Sequence, residues 1–244
     1  MNTARSGTGS GLPAGVYAEA VRQAATRKST SETLAAVIDM AVTSGPGEGA
    51  SITVRTGRTV ESVAYSSDLI LQADQLQYQL GEGPCLDAVW TDGVFVIPNL
   101  VADGRWPRWA PAAARLGVGS SISVHLFTDA ALGSLNLYSL RPREYGYADV
   151  EAAKVIGAHA SVVLAYARNE QNLWQAIDTR NLIGQAQGML MQKYGLTAEK
   201  AFGVLRRYSQ DHNRKLAAVA EQLTTTGALP DWTPVDPDDG RQPR

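Results

Sequence analysis

Apolar residues Leu34, Val37, Ile38 and Ala41 recur at intervals of three and four, so residues 32–42 predict an amphipathic helix. Ser44-Gly45-Pro46-Gly47 breaks it. The period then changes. Residues 50–55 and 60–65 read as strands joined by Thr56-Gly57-Arg58, a hairpin-length link containing glycine. Residues 69–80 carry mixed signals and are read as helix. Gly81-Glu82-Gly83-Pro84 reads as a turn, with Pro84 placed to open a short helix over 85–90. A strand over 94–97 and a helix over 106–116, stopped by Gly117, come next. Residues 120–127 and 132–140 form two more strands. In the second, Leu135, Leu137 and Ser139 alternate with Ser134, Asn136 and Tyr138. Interspersed strands and helices with hairpin-type links predict an α+β domain on an antiparallel sheet, not a doubly wound parallel one. Residues 16–27 carry the pattern of a further short helix.

No proline occurs between Asp149 and Pro230. Residues 150–194 can form one helix on the order of 65 Å long at ~1.5 Å per residue. They can equally form two, broken near Asn169-Glu170-Gln171-Asn172. The stretch carries Ile156, Val163, Leu164 and Ala167, then Leu173, Trp174 and Ile177. A helix of that length rarely stands alone, and pairing with a second copy as a coiled or bundled dimer is the natural expectation. Further on, Leu182, Ile183, Ala186, Met189 and Leu190 form one stripe, opposite Arg180, Gly184, Gln187 and Met191. Gly184 and Gly188 each cost roughly 1 kcal/mol relative to alanine, tolerable where another backbone, a helix or a phosphate comes close. Gly195 has the place of a C′ residue and Thr197 that of a cap. A second helix follows, with Ala198, Ala201, Phe202, Leu205 and Tyr208 on its stripe. Asn213 is expected to cap a third helix that buries Leu216, Val219, Ala220 and Leu223. Arg214 and Lys215 would open that helix against its dipole, a local cost of a few tenths of a kcal/mol that phosphate would offset.

Charge sharpens this picture. The 244-residue chain has a formal net charge of -2. Residues 176–226 hold seven basic against four acidic side chains, about +3 locally, and counterion release from a polyanion depends on such local charge. Cys85 is the only cysteine, so no disulfide forms within the chain and no thiolate metal cluster is available. No uninterrupted apolar run approaches the ~18–20 residues of a membrane span, and residues 1–11 lack the apolar core of a secretory signal. A cytoplasmic protein is expected. No metal-ligand spacing, phosphate loop, carboxylate pair or nucleophile–base set is present, so no enzyme activity is expected. Cys85, at a helix start, is a candidate redox thiol; the competing reading is an inert buried side chain. His125 and His159 lack any supporting motif and are read as structural. Residues 1–29 form a lead-in, and residues 229–244, rich in Pro and Asp, an unpacked tail.

The stretches I-G-Q-A-Q-G-M-L-M, A-F-x-x-L-R-x-x-S-Q, N-x-K-L and V-A recur in order within residues 169–228. That region resembles an ANTAR domain, a three-helix module of bacterial antitermination regulators. The resemblance implies that a dimer binds paired RNA hairpins, excluding a terminator so that transcription reads through. Stem phosphates would meet Arg and Lys, and splayed loop bases would meet amides, hydroxyls and aromatic faces. The residues expected at RNA are Arg180, Gln187, Lys193, Arg206, Ser209, Asn213, Arg214 and Lys215, with Tyr194 and Tyr208 as stacking platforms. The family usually has Lys where this chain has Gln187. Residues 30–168 resemble a GAF domain through G-E-G-P-C-L-D-A-V-W, V-F-V-I-P-N-L, D-G-R-W-P-R-W, S-S-I-S-V-H-L-F-T and L-G-S-L-N-L-Y-S. This implies a PAS-like sheet with helices on one face and often a ligand pocket. No cofactor is predicted; a small-molecule ligand of unknown kind is compatible. GAF-type methionine sulfoxide reductases use several cysteines, which the lone Cys85 does not supply. Two rivals stand beside the antitermination reading. One is a DNA-binding regulator of helix-turn-helix kind, with Asn213-Arg214-Lys215 as part of a recognition helix. The other is a GAF-based ligand or redox sensor acting through protein contacts.

Overall fold

The computed structural model describes residues 30–232; the helix expected at 16–27 lies outside them. Two compact units divide between Arg168 and Asn169.

The first unit is built on five antiparallel strands: β1 (Gly49–Thr56), β2 (Thr59–Tyr65), β3 (Val94–Ile97), β4 (Ser120–Phe127) and β5 (Ala131–Ser139), in the order β2-β1-β5-β4-β3. Around it lie α1 (Thr30–Ser44), α2 (Asp68–Leu80), α3 (Pro84–Trp90), α4 (Trp109–Arg115) and the start of α5 (Tyr147–Tyr194). Strand alternation sorts the side chains into two layers. Ile52, Ile122, Val124, Leu126, Leu135 and Leu137 form one core with Leu34, Val37, Ile38 and Ala41 of α1 and Ala153, Ile156, Ala160 and Leu164 of α5. The other face carries Ser51, Thr53, Ser121, Ser123, Ser134, Asn136 and Tyr138, all buried. It is covered by α2 and α3, with Cys85 and Tyr78 bonded directly to its side chains. Helices therefore cover both faces, not one. The polar alternation that reads as a solvated face is a second interior. β1 and β5 approach so closely that a Cβ on Gly133 would sit 1.8 Å from the Thr53 carbonyl oxygen, which only glycine avoids.

Trp106 and Trp109 pack edge to face at 6.3 Å in an outlying core with Ile70, Ile97 and Leu100. Glu82 accepts the Arg108 and Trp109 N–H groups at 2.6 and 2.8 Å and so caps α4 from another loop. That bond starts α4 at Trp109, three residues later than the apolar pattern suggests.

Helix α5 runs unbroken through Asn169–Asn172, which settles the choice left open by the sequence. An 18-residue window within it reaches a mean hydropathy of 1.3, long and apolar enough by composition to cross a membrane. The absence of an uninterrupted apolar run had hidden this. Its Ala153, Ile156, Ala160 and Leu164 are buried in one core with the sheet, and 33% of that window is buried inside the protein.

The second unit comprises the end of α5, α6 (Ala198–Asp211) and α7 (Leu216–Thr226). Ala186, Leu190, Ala201, Leu205, Tyr208, Val219, Ala220, Leu223 and Leu229 form its core. Gly195 (φ +63°) ends α5, and the Thr197 hydroxyl accepts the Lys200 N–H at 3.3 Å to cap α6. The first residues of the expected tail are packed: Leu229 is buried, and the Trp232 ring meets Tyr194 edge-on at 5.0 Å.

Candidate nucleic-acid interface

Asn213 does not cap the third helix. It sits in the left-handed region (φ +48°) and closes the second. The Arg214 N–H reaches the Ser209 carbonyl at 2.9 Å and the Asn213 N–H reaches Gln210 at 3.2 Å, a Schellman arrangement with asparagine in place of glycine. Asparagine tolerates this conformation better than other non-glycine residues. Arg214 and Lys215 consequently precede α7 instead of occupying its first turn. Lys215 is its N-cap residue, and no side chain caps the helix. The anticipated conflict with the helix dipole is thus one position removed.

The predicted side chains fall into three places. Arg180, Gln187 and Lys215 line one open groove of about 670 Å³ with Ile183, Phe202 and Asn172. No carboxylate lines it. Gln187 donates its Nε2–H to the Ala198 carbonyl at 3.1 Å, fixing its amide beside α6. Arg206 is exposed on α6, one turn beyond Phe202 on the same face. Around the α6–α7 turn, Ser209 donates to the Arg214 carbonyl at 2.5 Å, and Arg214 donates to the Gln222 amide oxygen. Lys193 lies elsewhere and donates to the Gly227 carbonyl at 3.1 Å, at the C-terminal end of α7. A cation there satisfies an orphan carbonyl.

Two stacking candidates change status. Tyr208 is buried, with its ring stacked on His212 at 4.0 Å, so no base can reach its face. Tyr194 is half-buried between Trp232 and Lys193. Phe202, placed by its spacing on a buried stripe, is instead 37% exposed and opens into the groove. The sequence hides this because Phe202 shares helical periodicity with Leu205 and Tyr208. A Cβ on Gly184 or Gly188 would meet no described atom, so nothing within the unit demands glycine there.

Electrostatics set the helical unit apart. Every ion pair among the described residues belongs to the first unit: Arg105–Asp103, Arg108–Glu82, Arg143–Asp149 and Lys154–Glu151. Among the described residues, none of the seven basic side chains between 176 and 226 meets a carboxylate within 4.0 Å. Arg180, Arg206, Arg207 and Lys215 are all exposed.

The first unit has a different chemistry. Beneath α2 and α3 the Asp74 carboxylate accepts Tyr138 Oη–H at 2.6 Å and Ser62 Oγ–H at 2.7 Å. Burial outweighs these bonds and raises its pKa above the ordinary 3.8. Gln77 accepts the Cys85 N–H at 2.8 Å and donates to Tyr138 Oη at 3.0 Å. Cys85 Sγ lies 3.2 Å from both Thr53 Oγ1 and Ser134 Oγ. Burial, then the nearby Asp74, push this thiol up to about 12. This is the reverse of the low pKa that activates a cysteine at a helix start. Ser121 Oγ, Ser123 Oγ and Asn136 Oδ1 are buried without a partner among the described residues. His125 donates Nδ1–H to the Ala88 carbonyl at 2.5 Å and stacks on Phe127. No group of three His, Cys, Asp or Glu side chains among the described residues is arranged to hold a metal.

A model of the GAF domain matches residues 27–165, and one of the ANTAR domain matches residues 171–223. The GAF domain of a phosphoenolpyruvate-protein phosphotransferase from Coxiella burnetii is similar in fold, with TM-score 0.53 and 12% identity over 65% of this chain and 95% of that one. The free methionine-R-sulfoxide reductase of Neisseria meningitidis, solved with its substrate, is also similar. Its TM-score is 0.51, with 16% identity over 64% of this chain and 89% of that one. At these identities the likeness is one of fold. No curated protein matches the chain. ANTAR domains are known for RNA-binding antitermination and GAF domains for sensing, and both are regulatory families.

Proposed function

From a chain that belongs to the GAF domain family and carries an ANTAR domain after it, we propose a cytoplasmic, dimeric RNA-binding regulator of transcription antitermination. The helical unit binds paired hairpins, and the bound hairpins exclude the terminator fold. The observation that carries this reading is the unneutralised charge of the helical unit. Its exposed Arg180, Arg206 and Lys215 have no carboxylate partner among the described residues. A face of cations left open to solvent releases counterions when phosphates replace them.

The first unit serves as the sensory or dimerisation module. A small-molecule ligand of this unit would couple to RNA through differential affinity for two dimer states. A helix-turn-helix reading is less well supported. Asn213, Arg214 and Lys215 form the turn before α7, so they are not on a recognition helix. Cross-linking the full chain to cellular RNA, sequencing what it holds and transcribing those leaders in vitro tests the proposal. Full-length transcript should rise with added protein. Unchanged read-through on every captured leader would overturn it.

A further inference from the structure

We infer that the groove between α5, α6 and α7 is a pocket for one unpaired nucleobase of an RNA loop, with Phe202 as its stacking platform. This rests on the RNA-binding reading and deepens it. The groove joins two kinds of chemistry that a phosphate backbone alone does not need together. Its rim carries Arg180 and Lys215, both exposed and without a carboxylate partner among the described residues. Its apolar floor carries Ile183 and the exposed ring of Phe202. A phosphate gains nothing from a phenyl ring. A paired base cannot use one either, because both its faces are covered within the stem. An unpaired base offers a free face to stack and brings flanking phosphates to the rim.

Specificity would come from Gln187. One of its amide hydrogens is spent on Ala198 at 3.1 Å. The Oε1 atom and the second N–H remain to meet the edge of a base, and the bond to Ala198 holds them in orientation. A lysine at this position would supply a point charge and no such acceptor. The other aromatic candidates are occupied: Tyr208 by His212, Tyr194 by Trp232. Charge complementarity favours RNA over a protein segment as the occupant, since no acidic residue lines the groove.

The test uses the full chain and a two-stem-loop RNA selected against it from a pool with randomised loops. Each loop position is replaced in turn by 2-aminopurine, whose fluorescence falls on stacking, and by an abasic nucleotide. One position should be quenched on binding the native chain and not on binding Phe202→Leu, a variant that keeps apolar bulk. Phe202→Leu should bind about 5- to 150-fold more weakly with an unchanged salt slope. The abasic RNA should weaken the native chain by a similar factor and cost Phe202→Leu little more. If Phe202→Leu fails to fold, quenching in the native chain still decides. No quenched loop position, or an abasic penalty equal in both proteins, overturns the pocket while leaving RNA binding intact. A selection that enriches no RNA overturns the RNA-binding reading and the pocket with it.

Discussion

At the residue scale, burial decides what the titratable groups of the first unit can do. Cys85 sits in the first turn of α3, where a helix N-terminus favours a thiolate, yet it is fully buried and its thiol is pushed up to about 12. Asp74 follows the same rule. Its folded pKa lies above the unfolded 3.8, so its contribution is fully present below that value and is lost as pH rises through the folded pKa. Asp74→Asn keeps a neutral hydrogen-bonding group there and removes the titration. Thermal melts from about pH 4 upward should show the native chain losing more stability than the variant as pH rises. Equal slopes would contradict the assignment. The sequence offered the buried, inert Cys85 as one of two readings and could not decide between them, and it gave no sign of Asp74. A lone cysteine after a turn looks the same whether it is exposed or sealed under two helices. Asn213 misled for a related reason: asparagine serves at a helix start and in the left-handed turn that ends a helix. Only the bond from Arg214 to Ser209 tells them apart.

At the scale of elements, glycine and proline punctuation made most boundaries legible. Gly45 and Pro46 follow α1, Pro84 opens α3, Gly117 follows α4 and Gly195 ends α5. What alternation could not convey was that the Ser, Thr and Asn face of the sheet is also interior. Periodicity reports which residues share a face and not what covers it. The unbroken α5 was likewise undecided, because nothing in Asn169-Glu170-Gln171-Asn172 forces a helix to stop. Among its exposed apolar residues, which also include Tyr147, Trp174 and Met191, Val155, Val162, Tyr166, Leu173 and Ile177 fall at intervals of seven and four, the spacing of a seam between paired helices. The proposed dimer would cover them. Leu173→Asp with Ile177→Asp should weaken self-association by on the order of 10⁴-fold or more, from ~1.5–3 kcal/mol for each of the two side chains in both protomers. Sedimentation equilibrium at micromolar concentration should then find monomers where the native chain is dimeric. A native monomer, or a variant that stays dimeric, would contradict this.

Across the whole molecule, charge is partitioned by unit. A chain of net charge -2 keeps its ion pairs in the first unit and leaves the cations of the second without carboxylate partners among the described residues. The basic excess was legible from a count; its lack of internal neutralisation was not, because pairing depends on where side chains lie. The face was also only partly legible. Arg180, Gln187 and Lys215 converge on the groove, whereas Lys193 is bonded to the end of α7, and Phe202, read as part of the buried stripe, opens into the groove. The most direct measurement is the salt dependence of binding to a twin stem-loop RNA, for the native chain and for a variant with Arg180, Arg206 and Lys215 all changed to alanine. At ~0.7–0.9 per phosphate contact and three contacts from each protomer, the slope of log affinity against log salt should be about four to five units shallower in the variant for the dimer on both stem-loops. Native chain that stays folded but ignores the RNA at low salt, or equal slopes in the two proteins, would contradict the account.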